Sequence, residues 1–257
     1  MKLKKKFNLK LTNAKISFTL IILFYYAINI NFISYGGIFY DDWSLATGYL
    51  DTDLFERIKI NCLLFFNTRP MGGLYVALIT GVGKNDLFYI LLNTSLWLLN
   101  GVIIHKIISK TYTYYTANIF LIFFLFPSFA STVFFSTVTQ SLGVLSIFFW
   151  SISLYFSHKK NFTFAIFFYV LSVLSYEVSV VLFLFNIFFF INDGNEKNNN
   201  NINFNELLNL ILKFLLVIFF ITIFQFGLAN LTDNVAPLKY AFTFTDKAFV
   251  LMGRSGS

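Results

Sequence analysis

Asp41 and Asp42 stand side by side between Tyr40 and Trp43, directly after 25 residues without a charge, Ile16 to Tyr40. A carboxylate at a membrane surface can act as general base toward a hydroxyl nucleophile, and an adjacent carboxylate makes it a better base by charge repulsion. Two together can also hold a divalent ion such as Mg or Mn, although base chemistry does not require one. Carboxylates available for such work are few, since Asp and Glu total 12 in 257 residues. Further along, Arg69-Pro70 offers a guanidinium, which pairs bidentately with phosphate and stays charged. Gln140 and Glu177 are the other polar candidates. Each also has a plain structural use: the aspartates as an interfacial cap flanked by aromatics, Arg69-Pro70 as a helix start, Gln140 as a packing hydrogen bonder and Glu177 as a turn residue. His105 and His158 read as interfacial, and the single Cys62 excludes an internal disulfide or a cysteine metal site.

The elements that must position these residues are membrane helices. The chain is 57% apolar, 21% aromatic and 12% charged, with mean hydropathy +0.71, far outside the usual soluble range. An all-α integral membrane protein is expected. A hydrocarbon layer ~30 Å thick needs roughly 20 apolar helical residues, so charge-free runs mark the spans. Lys2, Lys4, Lys5, Lys6, Lys10 and Lys15 precede a run too long for a cleaved signal and indicate a retained anchor. The 47 uncharged residues from Thr111 to Ser157 are too many for one helix, and Pro127-Ser128 divides them. Asn161 to Asn192, interrupted only by Glu177, reads as two short helices or one long tilted one; two are preferred, with Glu177 at the turn, because a carboxylate inside a lipid-facing span costs about 2.5 to 3.5 kcal/mol. About seven spans result, near 16–35, 87–104, 112–127, 138–157, 161–175, 178–192 and 207–228. They are accompanied by a long outer loop, 40–86, and an outer tail, 233–257. Within the loop, Met71 to Gly83 is too short to cross and would lie at the interface or dip partway in, closing the outer site against lipid.

With the N-terminus cytoplasmic, eleven cations fall on inner segments against Asp193, Glu196 and Glu206, and Lys213 lies in the inner half of the span 207–228. Lys106/Lys110 and Lys159/Lys160 carry the bias in the short loops, as the positive-inside rule requires. The pI near 9.3 is thereby accounted for by orientation in a cell membrane, and nucleic-acid binding gains no support from it. The same topology puts Asp41, Asp42, Arg69, Gln140 and Glu177 on the outer side, each near a helix end.

This order of features resembles the multi-pass GT-C glycosyltransferases, particularly protein O-mannosyltransferases and bacterial O-antigen glucosyltransferases. Asp41-Asp42 matches their acidic pair after the first span, Arg69-Pro70 an Arg-Pro late in the first outer loop, and Phe126-Pro127 a proline-containing outer turn. Ser175-Tyr176-Glu177 matches a later acidic motif. The resemblance covers about 16–192. It implies a GT-C-like fold and a polyprenyl-phosphate-linked sugar as donor, with a hydroxyl of an envelope glycan or glycolipid as acceptor. Base or metal duty would fall at Asp41 and Asp42, and substrate binding around Arg69, Gln140, Tyr176 and Glu177. Such enzymes usually have more spans and often a soluble outer domain, so the tail 233–257 reads as the start of a further C-terminal part. A lipid-linked sugar flippase or transporter, or an inactive truncated fragment, are the competing readings. Transporters tend toward internal repeats and midplane charges, whereas no repeat is found here and the charges sit at expected helix ends.

Overall fold

A computed structural model describes residues 14–29, 53–65, 69–80, 86–126, 141–191 and 204–231. These residues are almost entirely helical, with no strand among them. The helices are α1 (Ala14–Asn29), α2 (Leu54–Phe65), α3 (Pro70–Ile79), α4 (Asp86–Thr111), α5 (Tyr114–Leu125), α6 (Ser141–His158), α7 (Phe162–Ser175), α8 (Phe183–Ile191) and α9 (Phe204–Leu231); a 3-10 helix, Glu177–Leu182, leads into α8. Among the described residues, three helices, fewer than the seven expected spans, are long and apolar enough to cross a membrane: those at Leu87–Thr111, Ser141–His158 and Asn205–Gln225. The others are short for a reason that length alone states. At ~1.5 Å rise per residue, the 12 residues of α5 reach only about 18 Å of a ~30 Å layer.

Two expected boundaries move. The second span was expected to stop at residue 104, ahead of His105 and Lys106, yet α4 continues to Thr111. Charged residues are tolerated there because Lys106 and Lys110 are exposed, with the Lys106 ammonium 5.8 Å from the centre of the Tyr155 ring. The long loop expected over 40–86 contains α2 and α3. Asp53 starts α2 by accepting a hydrogen bond from the Glu56 amide at 2.7 Å. Arg57 near the start of α2 donates to the Ala77 carbonyl near the end of α3, so the two helices form an antiparallel hairpin.

The centre of the bundle is α4, α6 and α7. Half of the α4 span and 56% of the α6 span are buried, against 11% for α9, which therefore lies at the periphery. There Phe214 and Ile221 pack on Tyr169, Val173 and Ile187, while Leu216, Phe219, Phe220 and Phe224 are exposed. Small residues let α6 and α7 approach closely. Ser172 Oγ donates to the Ser146 carbonyl at 2.7 Å, and Ser153 Oγ to the Ala165 carbonyl at 2.6 Å. Their connection turns at Lys160, whose φ of 58° is left-handed, and Asn161 caps α7 by accepting from the Phe164 amide.

Buried amides join the remaining helices. Asn186 of α8 donates to Ser153 Oγ and Ser157 Oγ at 2.6 and 3.0 Å and accepts from Trp150 Nε1 at 2.9 Å. Asn100 of α4 donates to the Val144 carbonyl and accepts from Ser151 Oγ. With water excluded, each amide needs such partners, and the pairings fix helix register.

The contacts also define two ends. At one end, Ala14 accepts from Asn118, His105 Nε2 meets Asn118 Oδ1 at 2.8 Å, and Lys106 lies over Tyr155. This end collects the start of α1, the later part of α4, the start of α5 and the end of α6. The starts of α4 and α6 and the ends of α1, α5 and α7 consequently lie toward the opposite end.

Candidate functional site

At that opposite end the α2–α3 hairpin is held against α6 and α7. Proline at the first helical position starts α3, and Arg69 is its N-cap residue, with φ −141° and ψ 60° and no capping bond from its side chain. The guanidinium instead reaches 108 residues along the chain: Nε donates to Glu177 Oε2 at 2.7 Å and Nη2 to Oε1 at 2.5 Å. This is a parallel, bidentate ion pair. The ring of Tyr176 lies against the same group, 4.3 Å from Cζ, a cation–π distance. Three sequence candidates, Arg69, Tyr176 and Glu177, thus meet in one place. Asp41, Asp42 and Gln140 lie outside the described residues.

Local backbone explains why Glu177 is available. The helix α7 ends at Ser175, Tyr176 is extended at φ −158° and ψ 121°, and Glu177 opens the 3-10 helix. Extension at Tyr176 turns the following carboxylate away from the axis of α7 and toward α3. Gly72, one turn into α3, makes the approach close enough. A Cβ there would lie 2.9 Å from the Ser175 carbonyl oxygen and 3.0 Å from a Leu142 methyl. Sequence reasoning passed over Gly72; the available signal was the Gly72-Gly73 pair immediately after Arg69-Pro70-Met71.

The pair is partly solvated, with the Arg69 and Glu177 side chains 28% and 51% exposed. Burial opposes the charge on both, lowering Arg69 and raising Glu177, but their mutual hydrogen bonds and charges outweigh it. Arg69 is held above its ordinary value and Glu177 below 4.5. A carboxylate depressed on folding contributes stability above its unfolded value, lost as pH falls through the lower folded value. The stability difference between the wild-type protein and Glu177→Gln is therefore expected to stay level above pH 4.5 and to close below it. Thermal unfolding across that range checks this, and a gap that persists or widens in acid would refute it.

The pairing changes what Arg69 offers. Two of its three nitrogens face Glu177 and the net charge of the pair is zero, so the guanidinium is a neutralised cation rather than a free one. Among the described residues, no three His, Cys, Asp or Glu side chains form a group able to hold a metal. No family model, curated protein or solved structure matches the chain. The site must therefore be judged on its own chemistry. An open apolar groove of about 310 Å³ lies between α7 and α9, lined by Val170, Leu174, Val217, Phe220, Ile221 and Phe224. Its α7 wall is one turn long, Val170 to Leu174, and ends three residues before Glu177.

Proposed function

We propose that the chain is a multi-pass cell-membrane glycosyltransferase of GT-C type, with about seven membrane-embedded segments and a cytoplasmic N-terminus. It moves a sugar, a hexose in the simplest case, from a polyprenyl-phosphate carrier to a hydroxyl of an envelope glycan or glycolipid. The observation that carries the reading is the meeting of Arg69, Tyr176 and Glu177 at the bundle end where α6 starts and α7 ends. Gln140 immediately precedes α6. The described part of α1 ends at Asn29, twelve residues before Asp41. The apolar groove along α7 suits a hydrocarbon tail.

In the proposed reaction, Asp41 or Asp42 takes the proton from the acceptor hydroxyl. The hydroxyl oxygen then attacks the anomeric carbon, and the bond from that carbon to the phosphate oxygen breaks with inversion. Lipid phosphate leaves as a stable anion, so little acid catalysis is required, in contrast to glycoside hydrolysis, where a carboxyl must protonate a poor leaving group. Arg69 stabilises the charge on that phosphate. No step depends on a metal.

Mass analysis of envelope glycans from cells with the gene intact and deleted tests the reading. Loss of a hexose-sized increment on deletion, restored by the intact gene, is expected. Identical glycans in both strains would sink the transferase assignment and favour the transporter or inactive-fragment readings.

A further inference from the structure

We propose that Glu177 is a displaceable stand-in for the substrate: a phosphate headgroup takes its place on Arg69, so that binding proceeds by exchange of one anion for another. The inference rests on the reading of Arg69 as the phosphate-binding cation, and it adds the identity of the group that must leave.

Four features of the site support exchange. The carboxylate occupies the Nε/Nη2 edge of the guanidinium with two oxygens at 2.7 and 2.5 Å, and two phosphate oxygens can reproduce that geometry. The pair is accessible, with half of the Glu177 side chain exposed, and exposed pairs are weak enough to be broken by a stronger competitor. A phosphate monoester or a lipid-linked phosphodiester brings a hard, multiply hydrogen-bonding anion to that edge. The guanidinium would keep its position on losing Glu177, because the Tyr176 ring lies against it at 4.3 Å and its backbone is fixed by the start of α3 against Ser175 and Leu142.

The fourth feature is the hinge. Glu177 begins a six-residue 3-10 helix directly after the extended Tyr176. Runs of 3-10 helix longer than three or four residues are uncommon and often mark a hinge. Rotation there carries the carboxylate off Arg69 without unwinding α7, whose last turn ends at Ser175. In the resting protein the pair also prevents a bare cation from standing at the membrane boundary, where any anionic lipid would occupy it. Glu177 thus sets a threshold that a tightly matching headgroup passes and a casual one does not.

The test measures binding of farnesyl phosphate, and separately of inorganic phosphate, to the full chain in nanodiscs of zwitterionic lipid. Wild type is compared with Glu177→Gln, Glu177→Asp, Arg69→Gln and the double variant Arg69→Gln/Glu177→Gln. Glu177→Gln is expected to tighten farnesyl phosphate binding about fivefold, the scale set by loss of a competing exposed ion pair. Glu177→Asp, which retains the charge on a shorter arm, should fall between it and wild type and serves if Glu177→Gln fails to accumulate. Arg69→Gln should weaken binding at least about tenfold, the loss of one charge-assisted pair, and the double variant should match it, since without Arg69 there is no anion to exchange. Tightening for farnesyl phosphate alone identifies a lipid-borne headgroup; equal tightening for inorganic phosphate identifies phosphate itself as sufficient. Unchanged or weaker binding in Glu177→Gln, with wild-type binding intact and dependent on Arg69, would overturn exchange and leave the transferase reading standing. Binding that is indifferent to Arg69, or absent in every variant, would overturn exchange and remove Arg69 from the transferase site as well.

Discussion

Asp41→Asn and Asp42→Asn, made singly, are expected to leave membrane insertion and protein abundance unchanged, while at least one lowers sugar transfer by ~100-fold or more. The double variant should be as inactive as the worse single one. Asparagine keeps the shape and hydrogen-bonding capacity of aspartate but cannot accept the acceptor's proton, so the substitution removes basicity with little change in bulk. It also removes a charge next to the longest hydrophobic run of the N-terminal region, which makes insertion cheaper rather than costlier. Loss of the glycan increment can then be assigned to chemistry. The two single variants separate the roles: the base is the residue whose replacement abolishes turnover, and its neighbour, if it only positions or polarises, retains a measurable rate. Scoring is by the hexose-sized mass increment on envelope glycans beside immunodetection of the membrane-inserted protein. Full transfer in the double variant would end the enzymatic reading of the aspartate pair.

Sequence pattern alone located the helical segments outside 40–86, though not their lengths, because uncharged runs must pair their amides internally. The break near Glu177 was legible for the same reason, since a carboxylate inside a lipid-facing helix is expensive, and the helix indeed gives way at Tyr176. Helix length was less legible. His105, Lys106 and Lys110 looked like a stop, but α4 carries all three: His105 is buried against Asn118, and the two lysines are exposed. The hairpin of α2 and α3 was hidden because its apolar content is too short for a span signal, and its burial comes from packing on other helices.

At the site, order along the chain suggested that Arg69, Tyr176 and Glu177 share a side of the membrane. Their direct contact was not legible, because nothing local to either segment encodes a partner 108 residues away. Order along the chain therefore names no counter-ion for Arg69. The structure supplies its counter-ion, which turns a question about phosphate attraction into one about competition.

Of three glycine replacements, Gly72→Ala is expected to be the most destabilising, by roughly 1–3 kcal/mol, while Gly101→Ala costs less and Gly143→Ala is close to neutral. The ordering follows from what each new methyl would meet. At Gly72 the nearest atom, at 2.9 Å, is the backbone carbonyl oxygen of Ser175, with Leu142 Cδ2 at 3.0 Å and Arg69 Cβ at 3.3 Å. A carbonyl at the end of a helix cannot rotate aside as a side chain does, so α3 itself must retreat from α7. At Gly101 the close atoms are all side-chain ends, Leu121 Cδ1 at 2.9 Å, Leu125 Cδ2 at 3.1 Å and Phe124 Cδ1 at 3.2 Å, which can adjust at smaller cost. Gly143 has nothing within 4 Å. Thermal unfolding of the three purified variants in one detergent gives the ranking directly. A midpoint for Gly72→Ala equal to that of Gly143→Ala would mean that α3 does not sit tightly on α7. That result would reach further than stability. The Arg69–Glu177 pair spans the same α3–α7 contact, so a retreat of α3 by even ~1 Å should also lengthen a bidentate pair beyond hydrogen-bond range. Gly72→Ala is accordingly expected to erase the acid-dependent stability difference between its own background and Gly72→Ala/Glu177→Gln, linking one missing Cβ to the charge state of the site.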